Sequence, residues 1–349
     1  MTDHVLITIT GRAGRITLDR DDALNALTDA MVARIDAALI AWAGDPAVEI
    51  VIIDAAGDRA FCAGGDLRAL HTAIEAGDTD RVRAFWQNEY RMNARLALYA
   101  KPVVSFMNGL AMGGGVGLGC HAGHRVVGAT SQLALPEVGV GLVPDAGGSL
   151  LLARAPGSLG AFLGTTAARM EPADAIFAGF ADHFIDEAAW PDLIAALAAN
   201  PDPSQIAAAA TKPPSGELAQ LLPQIDRHFS GRTLGDIVAA LRAENSEMSW
   251  AIEARMARNA PLAMAATIQM IHRLRATSDI LAALELEYRY VSRSLEQGDF
   301  AEGIRAAMID RDQTPRWRHS DLAAVPEQAV DAMLAPMDDG RWQFARPQT

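Results

Sequence analysis

A chain of 349 residues, 50% of them hydrophobic, has room for one large domain or a domain with a sizeable appendage, and can bury a substantial core. Its 30 Lys and Arg against 43 Asp and Glu give a net charge of -13, a field that opposes binding to nucleic acid or to an anionic membrane surface. No apolar span approaches the roughly 20 residues of a membrane helix, and Met1 to Val5 lacks a basic segment leading into an apolar run, so a cytoplasmic small-molecule enzyme is expected.

Val5 to Thr10 and Arg15 to Leu18 cluster β-branched residues around Gly11-Arg12-Ala13-Gly14, which predicts a hairpin. From Thr28 to Trp42 apolar residues recur at helical spacing, with Thr28 or Asp29 as the cap. Glu49 to Asp54 is a nearly continuous apolar run, as expected of a strand buried on both faces. Phe61 to Arg68 follows, then a long helical stretch from Asp80 to Tyr99. Lys101 to Phe106 is a second buried strand, running into the glycine-crowded junction Asn108 to Cys120. Arg125 to Val127 and Gln132 to Leu135 are short strands.

These units predict a layered α/β domain over 1–198. Beyond Pro201-Asp202-Pro203 the pattern is helical, so 199–349 reads as a helical C-terminal region. Lys212 to Gly216 is expected as a linker, and Asp236–Leu241, Ala260–Arg273 and Ile280–Ser294 as helices. The last 30 or so residues are expected to form either an ordered wrap or a partly loose tail. Cys62 and Cys120 belong to no CxxC pair and are expected as buried small residues.

Two acids in the segment Leu133 to Gly148 each follow a proline in an apolar, glycine-rich run: Glu137 after Pro136 and Asp145 after Pro144. Lost hydration raises a carboxyl pKa unless hydrogen bonds compensate, a combination common where an acid or base is needed. Asp145 has a second reading, as the cap of a helix starting near Ala146. Upstream, Gly64-Gly65 and Gly113-Gly114-Gly115 each place bare backbone at a junction. Two N–H groups converging there would make an oxyanion hole, in which each donor typically carries about 100- to 1000-fold in rate.

Gly117 to Ala122 also fits a GxGxxA dinucleotide fingerprint, but its glycines fall inside the expected helix rather than at the turn after a strand. No GxSxG elbow occurs, and His121 and His124 lack HExxH context, so both read as structural or surface residues.

Phe61-Cys62-Ala63-Gly64-Gly65-Asp66-Leu67, Met112-Gly113-Gly114-Gly115-Val116-Gly117-Leu118 and Pro136-Glu137-Val138-Gly139-Val140-Gly141-Leu142 together resemble the crotonase (enoyl-CoA hydratase/isomerase) superfamily, in the same order and at typical separations. The resemblance implies an α/β fold, a crotonase-like spiral of ββα turns binding acyl-CoA thioesters, and puts the oxyanion donors at Gly65 and Gly114, with Gly64 beside them. Within the superfamily the chain is most similar to the 3-hydroxyisobutyryl-CoA hydrolase branch. The carriers of that likeness are Glu89-Tyr90-Arg91-Met92-Asn93, Gly115-Val116-Gly117, Val143 to Gly148, and Gly298 to Ala306 running on into Ile309 to Trp317.

Hydratases of the superfamily generally carry a second glutamate where this chain has Gly117, and a glycine where it has Asp145. The resemblance therefore implies hydrolysis of a short 3-hydroxyacyl-CoA, with Glu137 as nucleophile or general base, Asp145 orienting water or the substrate hydroxyl, and Glu89 contacting the acyl hydroxyl. No metal or redox cofactor is expected, CoA being part of the substrate. Relatives often form trimers or hexamers, which makes a homo-oligomer the expectation. The loop that is often Asn-Arg-Pro-Lys in relatives is Asp19-Arg20-Asp21-Asp22 here, leaving Arg20 or Arg154 for the CoA phosphates. The alternatives are a hydratase or isomerase on the same fold, and a non-catalytic acyl-CoA-binding protein.

Overall fold

A computed structural model describes residues 4–337 of the chain. The hairpin forms as strands β1 (Val5–Thr10) and β2 (Ala13–Leu18), antiparallel, with Ile7 opposite Ile16. Seven more strands follow: β3 (Ile50–Ala55), β4 (Ala60–Cys62), β5 (Val103–Met107), β6 (Leu110–Met112), β7 (His124–Val127), β8 (Gln132–Ala134) and β9 (His183–Phe184). They sort into a six-stranded sheet of order β1-β2-β3-β5-β7-β9, parallel from β2 onward, and a three-stranded parallel sheet β4-β6-β8. From β3 to β8 each coil of the chain thus gives one strand to each sheet and then a helix, the ββα spiral that the family resemblance implied, while β1 and β2 both join the larger sheet.

β3 shows why such strands must be apolar throughout. Side chains alternate across a sheet, and here both faces are covered. Val51 and Ile53 join the main core, while Ile50 and Ile52 meet Val104, Phe106 and Trp190 in a smaller core on the opposite face.

The helices carry their caps where the sequence supplies them. α1 (Asp29–Ala43) is capped by Thr28, whose hydroxyl accepts from the Met31 N–H. α2 (Leu67–Glu75), capped by Asp66, was not foreseen: its pattern is amphipathic, but nine residues are fewer than the window over which helical periodicity can be read. α3 (Thr79–Ala97), capped by Asp78, buries Phe85, Trp86, Glu89, Tyr90 and Asn93. α4 (Gly114–Cys120), α5 (Gly148–Arg154) and α6 (Leu159–Thr166) follow along the chain. Gly117 and Gly119 lie inside α4, as the rejection of a dinucleotide fingerprint required.

The C-terminal region is more helical than expected. Helices Ser204–Ala209, Leu218–Phe229, Leu234–Glu244, Glu247–Met256, Pro261–Leu274 and Ile280–Gln297 follow one another, Leu218–Phe229 with Pro223 inside it, which hid it from propensity. Thr211, beside the expected linker, bridges to Phe184, its N–H donating to the Phe184 carbonyl at 2.9 Å. Helix Pro261–Leu274 packs on α5 and α6, and helix Ile280–Gln297 on α3, so one hydrophobic core runs through both halves of the chain. A short helix, Phe300–Ile304, continues into a π turn, Arg305–Ile309.

The following residues wrap back: the Arg318 N–H donates to Asp299 at 2.9 Å, and helix Glu327–Leu334 lies against helix Ile280–Gln297. The rest of the expected tail, 338–349, lies outside the described residues. Cys62 and Cys120 are buried free thiols. No helix among the described residues is long and apolar enough to cross a membrane.

Gly303 sets how closely this late helix approaches the Glu137 turn, since a Cβ there would fall 2.4 Å from the backbone of Val140. Gly303→Ala is expected to lower stability by about 1–3 kcal/mol, read as a fall in the urea midpoint. An unchanged midpoint would mean that the contact is looser than the geometry shows.

Candidate active site

The strands of the small sheet run parallel, so their carboxyl ends meet at one edge, and the segments leaving β4, β6 and β8 all carry site residues. After β4 the chain is pinned to Leu27, whose N–H donates to the Gly64 carbonyl at 2.8 Å and whose carbonyl accepts from Asp66 at 2.9 Å. That pairing turns the Gly65 N–H the other way. After β6, Gly113 caps α4 and Gly114 is its first residue, where an N–H has no intrahelical acceptor. Neither the Gly65 nor the Gly114 amide has an acceptor among the described residues. The two junctions abut: a Cβ on Gly114 would lie 3.6 Å from the Gly65 nitrogen, and one on Gly64 3.5 Å from the Gly114 nitrogen. Both amides border a cavity of about 140 Å³ that Glu89, Glu137 and Asp145 also line, with Phe85, Trp86 and Leu142 as apolar walls.

β8 leads through Leu135-Pro136 into a tight turn, Glu137–Val140, that swings Glu137 into this cavity. Its side chain is buried, and neither carboxyl oxygen has a protein partner. A Cβ on Gly113 would come within 3.1 Å of Glu137 Oε1, which puts the acid beside the Gly114 amide. Burial, reinforced by the charge of Asp145, raises the Glu137 pKa well above the usual carboxylate range. Glu89 reaches the same point from α3: a Cβ on Gly114 would lie 2.3 Å from Glu89 Oε1, an oxygen without a hydrogen-bond partner. Burial, then the charges of Asp145 and Glu287, raise its pKa strongly.

Asp145 is not the helix cap that one reading allowed. α5 starts three residues later, with Gly147 as its cap and no side-chain cap bond. The Asp145 carboxylate instead accepts the Tyr90 hydroxyl at 2.6 Å. Burial pushes its pKa up to about 6 against the lowering effect of that bond. Gly117 explains how the turn fits: a Cβ there would fall 2.6 Å from the Ala146 Cβ. Any side chain at position 117 would displace the residue next to Asp145.

Three contributors escaped the sequence. Tyr90 is the donor to Asp145. His121, read as structural or surface, is structural: its Nε2 pairs with the Ala146 carbonyl at 2.9 Å, and burial lowers its pKa to about 4, so it stays neutral and donates. Glu287 lies fully buried on helix Ile280–Gln297, where it accepts from the N–H groups of Gly147 and Ser149, and burial pushes it up to about 8. The available signal was an acid on an apolar stripe, since Ile280, Ala283, Leu284, Glu287 and Val291 share one helix face.

Of the cations weighed for phosphates, Arg20 lies on the Gly65 side, paired with Asp66 at 2.8 Å. Arg154 ends α5, donates to the Ser278 carbonyl at 2.9 Å and does not line the cavity.

A family model described as enoyl-CoA hydratase/isomerase matches residues 13–334. A Danio rerio protein named 3-hydroxyisobutyryl-CoA hydrolase, mitochondrial, is 37% identical over 351 residues, covering 96% of this chain and 90% of its own length. The Homo sapiens protein of the same name is 35% identical, covering 94% and 88%. Among solved structures, one described as an enoyl-CoA hydratase from Rhodobacter sphaeroides is similar at 55% identity with a TM-score of 0.92, covering 96% of this chain and 98% of that one. Another, described as a carnitinyl-CoA dehydratase from Mycobacterium thermoresistibile, has 39% identity, a TM-score of 0.92 and 99% coverage of both.

A carboxyl group whose pKa is raised by folding stabilises the fold while protonated. For Asp145 that contribution is complete below its ordinary value of 3.8 and is lost as the pH rises through about 6. The loss is on the order of 3 kcal/mol. Asp145→Asn should therefore flatten the stability profile between those values in urea titrations run across pH. Parallel wild-type and variant profiles would refute the burial account.

Proposed function

The chain belongs to the enoyl-CoA hydratase/isomerase family, and we propose that within it the protein is an acyl-CoA thioester hydrolase, converting 3-hydroxyisobutyryl-CoA to 3-hydroxyisobutyrate and CoA. The observation that carries this reading is the partnerless Glu137 carboxyl beside two unengaged amides. With the thioester oxygen between the Gly65 and Gly114 N–H groups, charge that develops on attack is met by donors already in place. Glu137 either attacks the carbonyl carbon, expelling the CoA thiolate and leaving a mixed anhydride that water then opens, or takes a proton from the water that attacks directly.

Asp145, held by Tyr90, orients water or the substrate hydroxyl, and Glu89 takes the hydroxyl from the α3 side. The carboxylate form of Glu137 is the reactive one, and burial with the charge of Asp145 raises its pKa, so the rate should climb with pH above the ordinary carboxylate range. The chemistry proposed draws on the chain and water, with no resident cofactor.

The hydratase reading has one observation in its favour, the description of the Rhodobacter sphaeroides structure. Against it stands the space at Gly117. Family hydratases generally place their second glutamate there, and here the Ala146 Cβ fills the room that side chain would need. The vertebrate relatives are named mitochondrial. For this chain we keep the cytoplasm, one of the reducing compartments that two buried free thiols fit, and a trimer or hexamer by family likeness.

The test is release of free thiol from 3-hydroxyisobutyryl-CoA beside hydration of crotonyl-CoA. Wild type should release thiol and leave the crotonyl ester untouched. Glu137→Gln should lose about 100- to 10,000-fold in kcat, and Gly117→Glu should lose activity without gaining hydration. Turnover of the crotonyl ester without thiol release would reject the hydrolase assignment. A Glu137→Gln variant as active as wild type would reject the role of that acid.

A further inference from the structure

Asp145 heads a turn that the backbone does not favour unaided. Ala146 lies at φ 54° and Gly147 at φ 83°, two left-handed residues in succession, the first bearing a Cβ. A left-handed non-glycine residue costs roughly 1–2 kcal/mol. That turn requires glycine at the cap of α5, so the usual local cap, a Ser, Thr, Asn or Asp side chain, is excluded at the position where the first amides of the helix need one.

The missing acceptor arrives from another part of the chain. Glu287 Oε2 accepts from the Gly147 N–H at 2.8 Å, and Oε1 from the Ser149 N–H at 3.0 Å and from the Ser149 hydroxyl. The same helix holds Asp145 a second way. Tyr288, the next residue, meets Tyr90 edge-on with ring centroids 6.4 Å apart, and the Gln87 amide fixes the Tyr288 hydroxyl at 2.7 Å. Tyr90 in turn donates to Asp145 at 2.6 Å. One helix thus grips the acid through its backbone turn and through the donor to its carboxylate.

Burying a fourth acid so close to Glu89, Glu137 and Asp145 is unfavourable, and a neutral acceptor would satisfy one amide at less cost. A carboxyl group brings two oxygens to the three donors converging on one turn, where an amide brings one. We propose that Glu287 is a positioning residue for Asp145, and that it makes the hydrolytic site depend on the docking of helix Ile280–Gln297. This rests on the role given to Asp145 under the proposed function.

The experiment pairs Glu287→Gln with Ser149→Ala and reads both thiol release from 3-hydroxyisobutyryl-CoA and amide hydrogen exchange along the chain. Glu287→Gln keeps the shape but turns an NH2 toward one of the donors. Its kcat should fall about 10- to 100-fold with KM within about two-fold of wild type, while exchange accelerates selectively over 146–150. Ser149→Ala removes one donor and should show a smaller kcat loss in the same sense with the fold retained. The proposal is overturned if Glu287→Gln keeps wild-type kcat, or if exchange accelerates equally throughout the chain. A wild-type protein that releases no thiol would end the hydrolase reading instead. Exchange then decides this proposal alone, supporting it if acceleration stays confined to 146–150 and overturning it if that segment is unchanged.

Discussion

Dehydration of carboxyl groups governs this molecule. Glu89, Glu137, Asp145 and Glu287 are buried together, and no Lys or Arg pairs with any of them among the described residues. Charged acids without cations are costly in an apolar interior, and the chain meets the cost unevenly. Asp145 has Tyr90, and Glu287 has Gly147 and Ser149. Glu137 has no partner for either oxygen and borders two amides that also lack one. The least satisfied acid sits beside the least satisfied donors, which is the arrangement a reacting carbonyl would complete.

The spiral produces this juxtaposition by construction. Parallel strands of the small sheet end at one edge, so Gly65, Gly114 and Glu137, far apart in sequence, leave neighbouring strands side by side. Their second wall is the C-terminal layer, not a feature of the spiral itself. Phe300 packs on Trp86 with centroids 5.6 Å apart, Gly303 seats against Val140, and Glu287 reaches the start of α5. The helical region is therefore part of the site's architecture, which gives a physical reason for the near full-length likeness to the relatives above.

How far the sequence could be read follows the range of the interactions involved. The glycine junctions, Glu137 and Asp145 were legible because each lies in a short motif whose chemistry is local, whereas Glu89 came only with the family resemblance. The double role weighed for Asp145 was resolved only by Tyr90, a contact spanning 55 residues. α2 was hidden by its shortness, nine residues of pattern. Glu287 was hidden for a different reason, an acid within a stripe that otherwise reads as ordinary core. Gly117 was legible as an absent acid, but that Ala146 occupies its space belongs to packing and could not be read from spacing.

The central claim is that two bare amides polarise a thioester carbonyl beside a dehydrated glutamate. Its most direct measurement is the isotope-edited infrared spectrum of a carbonyl-13C 3-hydroxyisobutyryl thioester bound to Glu137→Gln. The account predicts a carbonyl stretch moved to lower frequency than in water, the mark of strong donors at the oxygen. A stretch at or above its free-solution frequency would contradict it.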